Sequence, residues 1–397
     1  MPTGTPFHSR TSALCETQYW GQWAGYFVAA SYQHAQECEY FAIRNTAGLI
    51  DVTPLFKYRI RGRDAERFVN RLITRDITKC KVGQVFYTPW CDGDGKVIDD
   101  GTVLRLGEDD FRIVTGDPTW WWLHENVVGM NVKFEDESDS VAAAALQGPL
   151  SRDILKQVCD ADLDSLKYFH VTRTAIGGVD VELSRTGYTG DLGYEVWVPA
   201  EGAERVWDAL MDGGKNYGIV PAGQDAMLIA RVEAGLVIID LDFIGALKAM
   251  IASQKHSPFE IGLDWTVNLK KEMFVGRRAL AEEKRRGSPR KLAGFQVDWG
   301  EYENYYDAVG LSAEVPDTAW TDSTPVYTRD EETQIGKATS GTWSPMASQY
   351  VAFGTVEAAY AQLGTKLKME LTFEHVPRLV TVKVVKLPFF DPPRKKA

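Results

Sequence analysis

The stretch Gly95-Lys96-Val97-Ile98-Asp99-Asp100-Gly101-Thr102-Val103 places two consecutive carboxylates inside a run of β-favouring residues. This pattern predicts a strand that carries the acids at a turn or bulge. Adjacent side chains on an extended backbone point to opposite faces, so Asp99 and Asp100 must have different environments. An inward carboxylate is costly unless it is hydrogen-bonded or titrating, which makes it a candidate general acid or base, or an anchor for an amine. On this segment alone, an Asp-Asp pair that ends a hairpin is the simpler interpretation.

Composition and charge restrict the classes of protein to which this chain can belong. Its 397 residues are enough for two or three domains with sizeable cores. A net charge of −11 argues against nucleic-acid binding and against an anionic membrane surface. No stretch approaches the roughly 18 consecutive apolar residues of a transmembrane helix, and the N-terminus lacks the basic-then-apolar plan of a signal peptide. We therefore expect a cytoplasmic protein without a membrane partner.

The thiol and imidazole side chains show no metal-binding pattern. The five cysteines never form a Cys-x-x-Cys pair, and the six histidines form no His-x-x-x-His or His-Glu-x-x-His pair. We expect reduced thiols and a mechanism without a metal ion.

Hydrophobic periodicity predicts strands and helices without a strict βαβ alternation. Strands are predicted over Gly48–Val52, Lys57–Arg61, Gln84–Pro89, Lys96–Leu106 and Asp110–Thr115. Helices are predicted, with Asp64 as an N-cap, over Asp64–Ile73, Thr119–Val128, Pro149–Val158, Glu201–Met211 and Gln224–Glu233. The charged segment Ala281–Lys291 predicts a domain boundary, and the short β-type runs beyond it predict a small all-β domain.

A second motif is the glycine-rich stretch Ser184–Glu195. Three glycines within seven residues allow tight turns and a close approach of the backbone to a ligand. Tyr188 supplies a flat, half-polar ring that can stack on a heterocycle, and Glu195 is an acceptor for the paired donors of an amino-pyrimidine edge. The spacing fits neither a dinucleotide fingerprint nor a phosphate-binding loop. In isolation, a glycine-rich hairpin is the better interpretation.

The two motifs occur together with shorter ones in an order that resembles the aminomethyltransferase family, the tetrahydrofolate-dependent T-protein of the glycine cleavage system and its relatives. Each piece is weak alone, but their order and spacing are specific, and the resemblance runs nearly from end to end. Besides the two motifs it includes Glu39–Thr53, Gln147–Pro149, Pro221–Gly223, Arg231–Gly235, Ser257–Leu263, Phe274–Gly276, Thr339–Pro345 and Lys386–Phe390.

The resemblance implies an α+β, three-lobed fold that holds folate in a central channel. Residues 1–285 would form the folate-binding region as two intertwined α+β lobes, and residues 286–397 a small C-terminal β-barrel domain. The implied cofactor is tetrahydrofolate, and the family's essential carboxylate carries over to Asp100, near the reactive N5–N10 region of the folate. The family's other folate contacts carry over to Tyr87, Val114, Tyr188, Glu195, Trp265 and Arg394.

Departures from the family's pattern cluster where the one-carbon donor should lie. In the glycine-cleavage T-proteins an arginine that contacts the ligand follows the Pro-Ala-Gly stretch, whereas this chain has Met227 at that offset. A point charge is thus replaced by a soft apolar side chain. The segments Tyr19–Tyr26, Val52–Leu55 and Thr115–Pro118 also differ from the family's runs. Together these differences imply that folate binding is kept and that the donor is changed.

Aromatic residues near these departures suggest how a methylated donor would bind. If the rings of Trp20, Trp23 and Trp120 converge, they would form a cage for a methylated cation, with an attraction of about 0.5–2 kcal/mol per ring. Core packing or a subunit interface explains the same rings equally well. The cage hypothesis therefore depends on where the fold places these three side chains.

The sequence thus predicts one-carbon transfer from a small methylated donor to tetrahydrofolate, with Asp100 as the catalytic residue. Two alternatives stay open. The first is a glycine cleavage aminomethyltransferase that acts on a lipoyl-bound aminomethyl group, against which Met227 argues. The second is a non-catalytic folate-binding assembly factor, against which the Asp99-Asp100 pair argues. An oxidase subunit or a carrier protein that delivers the one-carbon unit is a further candidate partner.

Overall fold

The strand that carries the acid pair runs from Val97 to Gly107 in a computed structural model, which describes residues 1–397. The strands are β1 (Thr3–Gly4), β2 (Tyr19–Trp23), β3 (Tyr26–Ser31), β4 (Ala47–Asp51), β5 (Phe56–Arg61), β6 (Val85–Cys91), β7 (Val97–Gly107), β8 (Asp110–Thr115), β9 (Lys133–Asp136), β10 (Val141–Gln147), β11 (Val171–Ile176), β12 (Val179–Ser184), β13 (Gly193–Pro199), β14 (Ile219–Pro221), β15 (Arg290–Val297), β16 (Thr324–Tyr327), β17 (Gln334–Ser344), β18 (Gln349–Glu357), β19 (Lys366–Phe373) and β20 (Val376–Val385).

Short helices connect and cover these strands. They are α1 (His8–Leu14), α2 (Glu37–Asn45), α3 (Ala65–Leu72), α4 (Trp120–Asn126), α5 (Ser151–Val158), α6 (Ala203–Gly214), α7 (Gln224–Glu233), α8 (Arg277–Arg286) and α9 (Trp299–Asp307). The longest, α6, has 12 residues, and none of the nine has the length and apolar character that crossing a bilayer requires. Each strand and helix predicted from periodicity is present, and the bounds of β8 and α7 are the predicted ones.

The acid pair lies in an antiparallel five-stranded sheet of order β6-β7-β8-β5-β9, in which β6 is an edge strand. The ladder between β6 and β7 shifts its register, since Trp90 pairs with Asp99 but Cys91 pairs with Val97. The unpaired residue, Ile98, directly precedes the acids and forms a bulge. The predicted strand with a bulge at the acid pair is therefore confirmed.

The glycine-rich motif ends in the six-stranded sheet, of order β11-β12-β13-β10-β4-β14. Along β13, Tyr194, Val196 and Val198 pack into a core with α5 and α6. Trp197 points to the opposite face, which packs against α2 and α7. Because side chains alternate along a strand, Glu195 also points to the face covered by α7.

Helix α7 packs against α2, against β3 of a three-stranded sheet of order β1-β3-β2, and against a closed barrel of order β15-β18-β17-β16-β19-β20. It carries two buried charges, Arg231 and Glu233. Glu233 accepts hydrogen bonds from Arg44 Nη2 at 2.7 Å and from Ser344 Oγ of β17 at 2.6 Å. Arg231 Nη1 pairs with Asp242 Oδ2 at 2.6 Å, and its Nη2 donates to Ser340 Oγ at 2.7 Å. These bonds join the barrel to the rest of the chain.

After β20 the chain leaves the barrel and returns to α7. The backbone N–H groups of Phe389 and Phe390 both donate to the carbonyl oxygen of Glu233 at 2.9 Å. The ring of Phe390 lies 4.7 Å from the guanidinium of Arg44. The division of the chain at residue 286 stays a prediction: α8 fills the first part of the segment Ala281–Lys291, and the first barrel strand begins at Arg290.

Two expectations about local structure were wrong. Asp64 precedes α3, but its Oδ2 accepts from the backbone N–H of Asn131 at 2.8 Å and makes no cap bond to its own helix. The C-terminal domain is not all-β, because Asp298 caps the nine-residue helix α9 by accepting from the N–H of Glu301 at 3.1 Å. Tyr302 of α9 then packs on Phe373 of the barrel, with ring centroids 4.9 Å apart.

Replacing Glu233 by glutamine is expected to lower the free energy of unfolding by about 3 kcal/mol, because it leaves Arg44 buried with only the more distant Asp191 as a carboxylate partner, at 3.6 Å. Urea denaturation followed by tryptophan fluorescence measures the change. The exposed Glu201→Gln is the matched control and should stay within about 0.5 kcal/mol of the wild type. Equal stability of the two variants would contradict the prediction.

Candidate functional site

The two acids of β7 have different partners on the two faces of the sheet. Asp99 is fully buried, and its Oδ1 accepts from the N–H of Asp100 at 2.7 Å while its Oδ2 accepts from the N–H of Asp117 at 3.0 Å. Burial and the neighbouring Asp100 raise the pKa of Asp99 well above its ordinary value. Since both oxygens are used to hold the backbone, Asp99 is a structural anchor for the turn after β8.

Asp100 points to the other face and keeps a free oxygen. Its Oδ2 accepts a hydrogen bond from the hydroxyl of Tyr87, whereas its Oδ1 has no hydrogen-bond partner in the protein. Burial raises the pKa of Asp100 to about 6, and the nearby carboxylate of Asp242 contributes to this rise. The group therefore lies close to the point where it gains or loses a proton near neutral pH, as general acid–base chemistry requires.

Glycine at position 101 lets the two strands approach closely beside Asp100. A Cβ atom at Gly101 would lie 2.0 Å from the carbonyl oxygen of Val114 in β8, which is far inside van der Waals contact. The ladder pairs Gly101 with Thr115 and Thr102 with Val114. A larger residue after the acid pair would push β8 away and displace Asp100.

Two tyrosine rings lie within electrostatic reach of the Asp100 carboxylate. Burial is the main cause that raises the pKa of Tyr87 and of Tyr188, and the charge of Asp100 adds to both shifts. The hydroxyl of Tyr188 donates to the carbonyl oxygen of Val237 at 2.5 Å, and Tyr87 packs on the apolar cluster that contains Val237. Both phenols therefore stay protonated, and the fold brings them together with Asp100.

Glu195 is oriented by a directed chain of hydrogen bonds. Thr186 Oγ1 donates its only proton to Glu195 Oε2 at 2.5 Å, so in its 2.7 Å contact with Ser184 it accepts from the Ser184 hydroxyl. Ser184 Oγ in turn accepts from the indole N–H of Trp197 at 3.0 Å. Burial raises the pKa of Glu195. Its Oε1 accepts no hydrogen bond from the protein, so this oxygen is left for a ligand.

Val114 and Met227 are both buried in one apolar cluster, against which Trp23 and Tyr188 also pack. Met227 lies in α7 and is only 5% exposed. The position at which the family's T-proteins carry an arginine is therefore occupied here by an apolar side chain with apolar neighbours. Among the predicted donor contacts, Met227 and Trp23 are the two that the structure brings together.

The three tryptophans of the cage hypothesis make separate contacts. Trp20 packs on His8, with ring centroids 5.0 Å apart, and Trp120 packs on Tyr58 at 5.7 Å. Neither ring contacts Trp23 or the other, so a single cage formed by Trp20, Trp23 and Trp120 is not present. The sequence could not show this separation, because β2 lies in the three-stranded sheet of order β1-β3-β2, whereas Trp120 of α4 packs on β5 of the five-stranded sheet.

Trp265 and Arg394 differ in how close they come to the acid pair. The ring of Trp265 stacks on Tyr87, with centroids 6.1 Å apart and planes 25° from parallel. Arg394 instead forms a two-pronged pair with Asp191, at 2.6 and 2.8 Å, and donates to the carbonyl oxygen of Arg44 at 3.0 Å. Arg394 thus holds the C-terminal tail in place, and its role as a folate contact stays a prediction.

Asp242 is a site residue that sequence reasoning missed. It is buried, and it accepts from Arg231, from the N–H of Ile238 and from the hydroxyls of Thr339 and Ser340 at 2.6–2.9 Å. Its charge contributes to the raised pKa of Asp100. The sequence motif that contains Thr339 and Ser340 indicated that these residues matter. It could not show that their hydroxyls donate to Asp242, because sequence spacing does not identify a distant partner.

Comparison with known proteins agrees with this geometry. The family model described as the GCVT N-terminal domain matches residues 6–271, and the glycine cleavage T-protein C-terminal barrel domain matches residues 307–391. The chain belongs to the aminomethyltransferase family. The predicted α+β, three-lobed fold with its C-terminal barrel is confirmed, as is membership among enzymes of folate-dependent one-carbon transfer.

Two relatives and one solved structure show the range of this family. An aminomethyltransferase from Halothermothrix orenii is 35% identical over 88% of this chain and 90% of its own length. A trimethylamine-oxide aldolase from Ruegeria pomeroyi is 32% identical over all of this chain, which corresponds to 48% of that protein. The crystal structure of a glycine cleavage system aminomethyltransferase T from Bartonella henselae is 21% identical and has a TM-score of 0.83 over 98% of this chain and 99% of its own.

Asp100→Asn is expected to abolish one-carbon transfer while leaving the fold intact, because an amide keeps the shape of the carboxylate but takes up no proton. Wild-type kcat/KM should fall as the pH drops through about 6, where Asp100 becomes protonated. The measurement is the pH profile of kcat/KM for the wild type, with circular dichroism of both proteins as a check of folding.

Asp99→Asn is the matched control for this experiment. We expect a milder loss of turnover than in Asp100→Asn, together with a loss of thermal stability. The reason is that the amide NH₂ of asparagine would face one of the two backbone N–H groups from which Asp99 now accepts hydrogen bonds. An inactive Asp99→Asn combined with an active Asp100→Asn would show that the two roles are reversed.

Glu195→Ala is expected to weaken the binding of tetrahydrofolate by about 1–3 kcal/mol, the cost of leaving buried donors of the ligand without an acceptor. Isothermal titration calorimetry measures the affinity, and the exposed Glu201→Ala serves as the control for loss of a carboxylate. Unchanged affinity in Glu195→Ala would remove this residue from the binding site.

Proposed function

We propose that this protein transfers a one-carbon unit from a small methylated donor to tetrahydrofolate. The observation that carries the proposal is Asp100, which lies on the face opposite the anchoring Asp99. Its Oδ2 accepts from the Tyr87 hydroxyl, its Oδ1 has no hydrogen-bond partner in the protein, and its charge acts on the protonated Tyr188. A structural carboxylate would use both of its oxygens, as Asp99 does. The same observation argues against a non-catalytic folate-binding assembly factor.

The residues present fit tetrahydrofolate. Glu195 Oε1 is a free acceptor for the amino-pyrimidine edge, and the rings of Tyr87 and Tyr188 offer flat surfaces for the pterin. When bound, tetrahydrofolate supplies the N5 nucleophile that receives the one-carbon unit. We assign the pterin pocket to these three residues together with Val114.

Asp100 handles the proton in this scheme. With a pKa of about 6 it is ionised at neutral pH, so its Oδ1 accepts a hydrogen bond from an amine or takes up a proton from it. The Tyr87 hydroxyl on Oδ2 fixes the orientation of the carboxylate. Asp99 positions Asp100 by accepting from its backbone N–H at 2.7 Å. The protein's further contribution is alignment of the two reactants.

The donor side of the site supports a small methylated molecule. Met227 places an apolar, polarisable side chain where the glycine-cleavage T-proteins carry a ligand-binding arginine, and it packs in one cluster with Trp23. The relative from Ruegeria pomeroyi acts, by its name, on a methylated amine oxide. These two observations favour an N-, S- or O-methyl donor over an aminomethyl group on a protein carrier.

Glycine cleavage aminomethyltransferase activity is the second candidate. It is favoured by the aminomethyltransferase of Halothermothrix orenii, which matches 88% of this chain at 35% identity. That activity would use an aminomethyl group bound to a lipoyl carrier, whereas a methylated amine would need an oxidase to deliver its carbon as methylene. We propose a cytoplasmic location for either activity, with a carrier protein or an oxidase as the candidate partner.

A donor screen distinguishes the two candidates. The wild type is incubated with tetrahydrofolate and either a small donor, namely an N-methyl, S-methyl or O-methyl compound, or an aminomethylated lipoyl carrier protein. Mass spectrometry then separates 5-methyl from 5,10-methylene product, and an ammonia assay follows the carrier reaction. We expect product with a small donor and no ammonia release.

Met227→Arg should suppress turnover with a cationic donor through like-charge repulsion, and Met227→Leu, which keeps the apolar volume, should retain it. Robust ammonia release from the carrier protein would instead establish the glycine-cleavage activity and overturn the methylated-donor proposal.

A further inference from the structure

The predicted pterin contacts Tyr188 and Glu195 belong to a part of the chain that has no backbone ladder of its own. Residues 185–192, which we call the connecting segment, link β12 to β13 without helix or strand. No backbone group of residues 186–191 takes part in a backbone–backbone hydrogen bond. Such a segment keeps one conformation only if side chains from elsewhere hold it. Tyr188 lies inside the connecting segment, and Glu195 follows shortly after it.

Two buried side chains hold the middle of the connecting segment. Gln147 Nε2 donates to the carbonyl oxygen of Thr186 at 3.4 Å, and its Oε1 accepts from the hydroxyl of Thr189 at 2.9 Å. Arg44 Nη1 donates to the carbonyl oxygen of Thr189 at 2.9 Å. These bonds come from β10 and α2, and they leave both ends of the segment to other partners.

The end that precedes β13 is held by residues 389–397, which we call the tail segment. Arg394 Nε and Nη2 donate to the two carboxylate oxygens of Asp191, at 2.6 and 2.8 Å. The Asp191 side chain is fully buried, and its other cationic partner is Arg44, at 3.6 Å. Without Arg394, this buried carboxylate would therefore lose its closest charged partner.

The opposite end is held by the same tail segment. Arg185, which is only 3% exposed, donates from Nη2 to the backbone carbonyl oxygens of Lys395, at 3.4 Å, and of Ala397. Arg152 Nη2 donates to the same oxygen of Ala397 at 2.9 Å. The tail segment is in turn fixed to α7, where the carbonyl oxygen of Glu233 accepts from its first two backbone N–H groups. It therefore contacts the connecting segment at both ends.

We propose that the tail segment is a strap that sets the conformation of the connecting segment for ligand binding, with Arg394 as a positioning residue that acts through Asp191. The inference rests on the folate function proposed above and concerns the same site. It assigns Arg394 no contact with the ligand, because its Nε and Nη2 atoms already donate to Asp191 and to the carbonyl oxygen of Arg44. Because coupling between two sites is reciprocal, a bound ligand should also hold the strap more tightly.

The test measures hydrogen exchange and ligand affinity in the full chain. Exchange is followed by mass spectrometry in the ligand-free wild type and in Arg394→Gln, and tetrahydrofolate is then titrated by calorimetry. Arg394→Gln should exchange faster in residues 185–195, whereas β18 of the barrel should keep its protection. Its affinity for tetrahydrofolate should fall about tenfold, as for other changes in the coupling between two sites. Arg394→Lys, which keeps the charge, should restore part of both.

A double-mutant cycle separates a strap from a direct contact with the ligand. Asp191→Asn should weaken tetrahydrofolate binding to a similar extent, and the double variant should show no further loss, because both changes remove the same interaction. Additive losses would overturn the proposal, since Arg394 would then act independently of Asp191. A loss of affinity in Arg394→Gln with unchanged exchange of residues 185–195 would contradict it as well.

Lys395→Gln is the matched control, because it removes a cation from the same tail segment whose side chain pairs with Asp391 of that segment. It should match the wild type in both measurements. Unchanged exchange and affinity in Arg394→Gln would overturn the strap but leave the folate function standing. Faster exchange throughout the chain would also overturn it, since this would indicate a general loss of stability. A wild type that does not bind tetrahydrofolate would remove the folate function and this inference together.

Discussion

The structure depends on the buried ion pairs that helix α7 makes in two directions. Arg231 and Glu233 are two residues apart, about 200° around the helix, so they reach different neighbours. Glu233 meets Arg44 of α2, and Arg231 meets Asp242, which the barrel hydroxyls also bind. Removing Arg44 or Asp242 would leave a buried charge of α7 without its partner, which costs several kcal/mol. Ser340 and Ser344 of β17 hydrogen-bond to the same two ion pairs, so the barrel is tied to α7 through them.

The same buried network also affects the pKa of Asp100 in the candidate site. Asp242 is held in place by Arg231 and by the barrel, and its charge contributes to the raised pKa of Asp100. The hydroxyl of Tyr188 is fixed on the carbonyl of Val237, a few residues after α7 ends. The proton affinity of Asp100 and the position of the Tyr188 ring thus depend on residues outside the five-stranded sheet as well as on β7.

Local sequence patterns predicted the strands and helices well, whereas the side-chain contacts between them depend on residues that are distant in sequence. Strand β8 and helix α7 follow from alternation and helical periodicity, which are properties of neighbouring residues. The different environments of Asp99 and Asp100 followed from strand geometry, whereas the catalytic role of Asp100 stays a prediction. In contrast, Asp64 accepts a hydrogen bond from Asn131 and does not cap its own helix, and Trp20 and Trp120 pack on different partners. Residues that are distant in sequence determine these contacts. The hydrogen-bond partners of Asp242 could not be predicted from sequence spacing either, because Thr339 and Ser340 lie 97 and 98 residues away from it.

The segment that returns after β20 has a consequence for how this chain folds. Phe390 lies 4.7 Å from the guanidinium of Arg44, and Arg394 pairs with Asp191 and donates to the carbonyl oxygen of Arg44, across sequence separations of 203 and 350 residues. Contacts between residues so far apart in sequence require the closure of long loops, which costs conformational entropy before the contact is made. The covering of Arg44 and Asp191 should therefore be a late step of folding, and these contacts should form after the local hairpins of the sheets.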